Sequence, residues 1–140
     1  MSENEVRAAS EKFYAALNSM LNGDATPMGG IWSHDAGVTT MHPVGGRETG
    51  WDDVRDTWER VAQVSSGGDV RLDEQEVRVA GDAAYESGVE RGSYTLSGQE
   101  VAVEGRVTNI YRRDGGEWRI VHHHADVSRE MIAALGPAGT

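Results

Sequence analysis

Hydrophobic and polar positions follow a helical spacing in the first half of the chain and alternate in the second. Between residues 5 and 22, Val6, Ala9, Phe13, Ala16, Leu17, Met20 and Leu21 form one stripe of an amphipathic helix. Gly23-Asp24 is its stop. A short second helix is expected after Pro27, carrying Met28, Ile31 and Trp32. Residues 38–42 read as a short strand, and Pro43-Val44-Gly45-Gly46 as a turn. A third helix begins near Trp51, with Asp52 and Asp53 in its first turn, where the helix dipole favours negative charge. Its stripe is Trp51, Val54, Trp58 and Val61, and Ser65-Ser66-Gly67-Gly68 ends it.

Four long strands are expected at 70–80, 83–96, 101–113 and 117–127. Gly81-Asp82, Ser97-Gly98 and Asp114-Gly115-Gly116 supply hairpin turns between them. A last helical turn after Ser128 and a frayed Gly/Pro tail complete the chain. Helices first and an antiparallel meander afterwards define an α+β plan, with the helices packed on one face of a curved sheet. A sheet that curls around three helices encloses a cone. Trp32, Met41, Trp51, Trp58 and inward strand residues (Tyr85, Thr108 and Trp118) would line it. A largely apolar cavity with a few polar groups is the usual form of a small-molecule site.

Length and charge narrow the picture. At 140 residues the chain is expected to be one domain, 1–140, with an ordered core from about 5 to 128. A formal net charge of -10 argues against nucleic acid and anionic membrane surfaces as partners. There is no cysteine, which removes disulfides, thiolate metal sites and cysteine nucleophiles. The acidic start Met1-Ser2-Glu3-Asn4-Glu5 has neither the positive nor the apolar region of a secretory signal, and no apolar run reaches a membrane span. A cytoplasmic protein is the expectation.

The candidate chemistry concentrates in the last strand, Trp118-Arg119-Ile120-Val121-His122-His123-His124-Ala125-Asp126. Uninterrupted alternation puts Trp118, Ile120, His122, His124 and Asp126 on one face, with His123 opposite. His122 and His124 are then about 7 Å apart along the strand. A histidine beside a carboxylate and partly buried can titrate near neutrality, as a general acid or base requires. Equally, these groups can be structural, bonded to one another and to Arg106 on a polar cavity floor. His42, at the end of the short strand, is a second candidate for the mouth of the cone. Zinc needs three or four converging ligands, which consecutive strand histidines do not supply. No metal or cofactor is therefore expected. Alternation in the third long strand places Val101, Val103, Val107 and Tyr111 on one face and Arg106, Thr108 and Ile110 on the other. By apolarity alone, Arg106 faces out.

Several segments resemble the SnoaL-like branch of the nuclear transport factor 2-like superfamily, which includes ketosteroid isomerases and polyketide cyclases. They are Phe13-Tyr14-Ala15-Ala16-Leu17 with Asn22-Gly23-Asp24, Ile31-Trp32-Ser33-His34-Asp35, His42-Pro43-Val44-Gly45-Gly46, Gly50-Trp51, residues 106–113 and residues 118–126. The chain is also similar to the association domain of calcium/calmodulin-dependent kinase II. The resemblance implies a cone of curved antiparallel sheet around three helices, paired as a homodimer through the sheet. It implies an inward Arg106, and it aligns Asp126 with a carboxylate base near the end of the last strand. Metal-free iota-class carbonic anhydrases end in His-His-His-Ser-Ser. Here the three histidines are kept, and Ala125 and Asp126 replace both serines.

Three functions follow as expectations. The first is acid/base chemistry on an apolar, carbonyl-bearing small molecule, with His124 or Asp126 as base, His122 orienting and Arg106 stabilising negative charge. The second is a non-catalytic association module. The third is carbon dioxide hydration.

Overall fold

The structure is a computed structural model and describes residues 2–135. Helix α1 (Ser2–Met20) forms on the predicted stripe, burying Val6, Phe13, Leu17 and Met20. Helix α2 (Met28–Ile31) is one turn long. Strands β1 (Thr39–Met41) and β2 (Arg47–Thr49) flank the turn at Pro43. Helix α3 (Trp51–Gln63) carries Asp52 and Asp53 at its start and Arg60 in its last turn, matching its dipole at both ends. Four strands follow: β3 (Ser65–Ala80), β4 (Ala83–Leu96), β5 (Gln99–Asp114) and β6 (Glu117–Ala125). Helix α4 (Arg129–Leu135) closes the described chain. The expected Gly/Pro tail lies outside the described residues.

The sheet order is β2-β1-β6-β5-β4-β3. The expected meander is present, but it is extended by the β1–β2 hairpin, and β1 pairs parallel to β6. The short strand expected at 38–42 is β1; β2, three residues long, is too short for alternation to reveal, which is why the pattern predicted five strands and the fold has six. The Ser65-Ser66-Gly67-Gly68 segment both ends α3 and begins β3.

The sheet curls because β3 and β4 are built to bend. The β3 register slips between Ser66 and Asp69 and again between Asp73 and Glu76, each slip adding local twist. Gly88 and Gly92 of β4 lie opposite these irregular stretches. A Cβ on Gly92, whose φ is +151°, would overlap the Asp69 carbonyl, and one on Gly88 would come within 2.7 Å of the Asp73 carbonyl. Only glycine lets the two backbones approach this closely.

Inside the curl, α1 is tied to β3 by a two-way bond. Asn18 Nδ2 donates to the Val70 carbonyl at 3.0 Å, and the Val70 amide donates to Asn18 Oδ1 at 2.8 Å. Trp32 packs on Trp51 and Trp58 with ring centroids 6.5 and 6.2 Å apart, and meets Phe13 edge-on. Ile31, Leu96, Tyr111 and Ile120 complete the buried core. Among the described residues, no helix is long and apolar enough to cross a membrane.

Candidate active site

A one-residue bulge in β6 decides which histidine faces the interior. Ile110 pairs with His122, but the next residue of β5, Tyr111, pairs with Ile120, so Val121 is an extra residue in β6. A single inserted residue reverses the facing of everything beyond it. Before the bulge, Trp118 and Ile120 point inward as alternation predicts, and both are buried. After it, His123 and Ala125 point inward and are buried at 3 % exposure each. The expectation of an inward His122, His124 and Asp126 is thereby corrected, and so is that of an outward His123.

The outer face collects the displaced candidates. His122 Nδ1 lies 2.7 Å from the Thr39 hydroxyl, and His124 sits in register with Met41 of the parallel strand. Met41 therefore belongs to the outer face and not to the cone. Arg106 faces out with its side chain 84 % exposed, its Nε donating to Asp126 Oδ2 at 2.8 Å. Alternation predicted this direction, and the inward direction implied by the resemblance is corrected. Thr108 is exposed on the same face, and Tyr85 is 49 % exposed. Hydrogen bonds from Arg106, rather than burial, set the state of Asp126. They hold its carboxyl below the usual carboxylate range.

Five predicted lining residues stay inside. His42 and Trp58 line the inner cavity, Trp51 and Trp58 the groove between α3 and the loop at residues 23–29, and Trp32 is fully buried core. Trp118 is also buried, with the Arg113 guanidinium over its ring.

The interior holds a polar network that hydropathy patterning does not single out. Tyr14 of α1 donates to Glu90 Oε2 at 2.8 Å. Asn109 Nδ2 donates to the Tyr14 oxygen at 3.2 Å and to Glu86 Oε1 at 2.9 Å. Tyr111 donates to the same Glu86 oxygen at 2.6 Å, and Gln75 donates to the other at 2.8 Å. Asn109 Oδ1 lies 2.7 Å from His123 Nδ1. Because the Asn109 amide nitrogen is committed to Glu86 and Tyr14, its oxygen must accept, so His123 carries its proton on Nδ1. The lone pair of His123 is then on Nε2. Across the interior, His42 Nε2 is 2.6 Å from Glu48 Oε1, off the line of its N–H, and Thr40 donates to that oxygen at 2.8 Å.

Burial tunes these groups in opposite senses. Glu90 is pushed up to about 7, by burial first, against the Tyr14 hydrogen bond and with help from Glu86. His123 is held well below the ordinary histidine value, by burial first and then by His42, His122 and His124. Tyr94 is raised to about 12 by burial and by Glu90. The site therefore holds a carboxyl that exchanges its proton near neutral pH, a neutral imidazole and a neutral phenol.

Glu90, His123, His42 and Tyr94 share one small cavity of about 60 Å³. Its remaining walls include Leu17, Met20, Val70, Val103 and Met131, so the polar groups meet in an apolar chamber. Among the described residues, no group of three or more His, Asp or Glu side chains is placed to hold a metal ion.

The SnoaL-like domain family matches residues 6–128. The chain belongs to this family. A comparison with curated proteins finds no match. Among solved structures, the SnoaL-like domain is similar to a candidate dehydratase of the NTF2-like family from Streptomyces avermitilis, at 24% identity over 91% of this chain and 96% of that one, with a TM-score of 0.79. It is similar to a candidate calcium/calmodulin-dependent protein kinase type II association domain from Thiobacillus denitrificans, at 29% identity over 88% and 94% of the two chains, TM-score 0.66. An NTF2-like superfamily protein from Salmonella enterica serovar Typhimurium shares 19% identity over 91% and 92%, TM-score 0.79.

One signal for the missed residues does exist in the sequence of this SnoaL-like domain. The inward residues Trp118 and Ile120 are even-numbered, whereas Ala125, the next small apolar position suited to the interior, is odd-numbered. That change of parity requires an inserted residue between them. Glu86 and Glu90 share parity with Tyr94 and Leu96 on β4, which marks them as inward despite their charge.

Proposed function

We propose that the protein is a cofactor-independent acid/base enzyme acting on a small, largely apolar molecule that carries a carbonyl group. The observation that supports this reading is Glu90: a buried carboxyl in an apolar cavity, with its proton exchange moved to about 7. A base poised near the working pH combines a useful deprotonated fraction with adequate basicity. Glu90 takes a proton from the carbon next to the ligand carbonyl and returns it at a neighbouring position. Tyr14 donates to Glu90 and holds its orientation. His123, fixed by Asn109 with its lone pair on Nε2, accepts a hydrogen bond from a ligand hydroxyl or an enol. The apolar walls of the chamber lower the local dielectric, which strengthens each of these contacts. An apolar wall with few polar groups suits a neutral ligand better than a charged one.

Deuterium uptake tests the reading without knowledge of the natural substrate. Small ketones from butanone to cyclohexanone are incubated with the protein in D2O, and loss of the α-proton signal is followed by NMR. The expected result is catalysed exchange of at least one ketone, with a rate that rises with pH through an apparent pKa near 7, where Glu90 ionises. A rate indistinguishable from the buffer reaction for every ketone, or a profile flat from pH 5 to 9, would contradict it.

A further inference from the structure

On one side the chamber is lined by α4, through a single side chain. Met131 is buried at 4 % exposure and lines the cavity, and it is the one buried residue among the seven of α4. Ile132, one residue on, is 39 % exposed. A seven-residue helix is too short to hold its own shape in water, so its placement depends on docking. Ala134 and Leu135 pack half-buried against the core, and the polar ties are at the start of the helix: the Ser128 amide donates to the Pro43 carbonyl at 2.7 Å, the Ser128 hydroxyl caps the Met131 amide at 3.2 Å, and Glu130 accepts from the Ala102 amide at 3.2 Å. The polar ties form a hinge at the foot of the helix, and Met131, its most deeply buried side chain, is the main latch beside Ala134 and Leu135.

The Met131 sulfur lies 3.5 Å from the Tyr94 hydroxyl, and it is that hydroxyl's only hydrogen-bond partner among the described residues. Tyr94 is buried at 6 % exposure. A thioether is a weak acceptor, and a buried hydroxyl left with one is poorly satisfied. The two tyrosine hydroxyls of the neighbouring network, Tyr14 and Tyr111, donate instead to carboxylate oxygens.

We propose that Met131 occupies the ligand's own subsite: α4 is a lid, and the ligand's carbonyl oxygen displaces the Met131 sulfur as the acceptor of the Tyr94 hydroxyl. The proposal rests on the reading of this chamber as the ligand site and adds how the ligand enters and which donor it meets. The ligand class is a neutral molecule with one strong acceptor oxygen beside an apolar body that replaces the methionine side chain. It explains why a chamber of about 60 Å³ holds a full set of polar groups yet has little free space. With the lid displaced, the Tyr94 donor and the Glu90 base face the same molecule.

The probe is 4-dimethylaminobenzaldehyde, a neutral aldehyde whose absorbance moves to the red when its carbonyl accepts a hydrogen bond. Met131→Ala is expected to bind it roughly tenfold or more tightly than the wild type, because the occupant of the subsite is removed. The bound probe is expected to be red-shifted, and the shift is lost in Met131→Ala/Tyr94→Phe. Met131→Gln, which gives Tyr94 a strong acceptor within the lid, binds more weakly than the wild type, and Met131→Leu stays within about twofold of it. Equal affinity of Met131→Ala and wild type, or a red shift that survives Tyr94→Phe, would overturn the proposal. If circular dichroism shows Met131→Ala unfolded, the comparison of wild type with Met131→Gln and Tyr94→Phe decides the matter: weaker binding by Met131→Gln and loss of the shift in Tyr94→Phe support the lid, and unchanged binding and shift overturn it. No proton transfer is read in this experiment, so Glu90 catalysis and the lid succeed or fail separately.

Discussion

Replacing Glu90 with glutamine is expected to raise the protein's stability at pH 8 by about 3 kcal/mol and to leave it nearly unchanged at pH 4. The carboxyl ionises near 4.5 in the unfolded chain and near 7 in the folded one, because burial disfavours its charge. Below pH 4.5 both states hold the proton and nothing is lost. Between pH 4.5 and 7 the unfolded state ionises freely while the folded state does not, so stability falls as pH rises. Above 7 the loss is complete, at about 1.4 kcal/mol for each pH unit of the interval. Glutamine keeps the shape and the acceptor for Tyr14 but has no charge to bury. His123 acts with the opposite sign: held neutral by burial, it favours the folded state above about 6.5 and costs stability as pH falls below that value. The difference between variant and wild type at each pH therefore isolates Glu90. Urea unfolding at a series of pH values checks it, and parallel curves for the two proteins would contradict the burial of this carboxyl.

Glu86 has the contrary role. Its two oxygens accept from Asn109, Tyr111 and Gln75, so every neighbour that points at it is a donor with a partner. Glu86→Ala leaves one hydrogen of each of those three donors without its partner, at about 1–3 kcal/mol for each that water does not reach, while Asn109 and Gln75 keep their second bonds to Tyr14 and Ser10. A loss of about 4 kcal/mol is expected, large against the total stability of a domain of this size. The effect reaches the site, because Asn109 is the shared partner of Glu86, Tyr14 and His123. A loss under about 1 kcal/mol in urea unfolding would show that the network does not hold the sheet to α1. The two glutamates therefore separate cleanly. Removing charge at Glu90 stabilises the fold, while removing the side chain at Glu86 dismantles it.

The long elements were legible because their periods run uninterrupted. The stripe of α1, the stripe of α3 and the hairpin turns at Gly81, Ser97 and Asp114 placed the α+β plan and the order of its parts. β1 was legible as a short strand at 38–42, but β2 and the pairing of the hairpin onto β6 were not, since three residues show no alternation. The site was legible only in part. The polar end of β6 drew attention to the right segment, but alternation carried past Val121 assigned the wrong histidines to the interior. A bulge is a tertiary accommodation: it lets His123 meet Asn109 while Trp118 and Ile120 keep their places in the core. Glu86 and Glu90 escaped notice for another reason. A charged residue in a strand is ordinarily solvated, and their burial depends on partners from α1, β3 and β5 that sequence spacing does not reveal. For Arg106 the order is reversed. Alternation predicted the outward side chain, and analogy with the family did not.

The proposed chemistry lies on the inner face of the sheet, at Glu90, and not at the histidines and Asp126 on the outer face. The most direct measurement is the ketone exchange rate at pH 8 in two variants beside the wild type. Glu90→Gln is expected to lose the catalysed rate by about a hundredfold or more. His122→Gln/His124→Gln/Asp126→Asn, altered only on the outer face, is expected to stay within about twofold of the wild type, since none of the three side chains lines the cavity that Glu90 shares with His123, His42 and Tyr94. The opposite pattern, with full activity in Glu90→Gln and a hundredfold loss in the outer-face variant, would contradict the account.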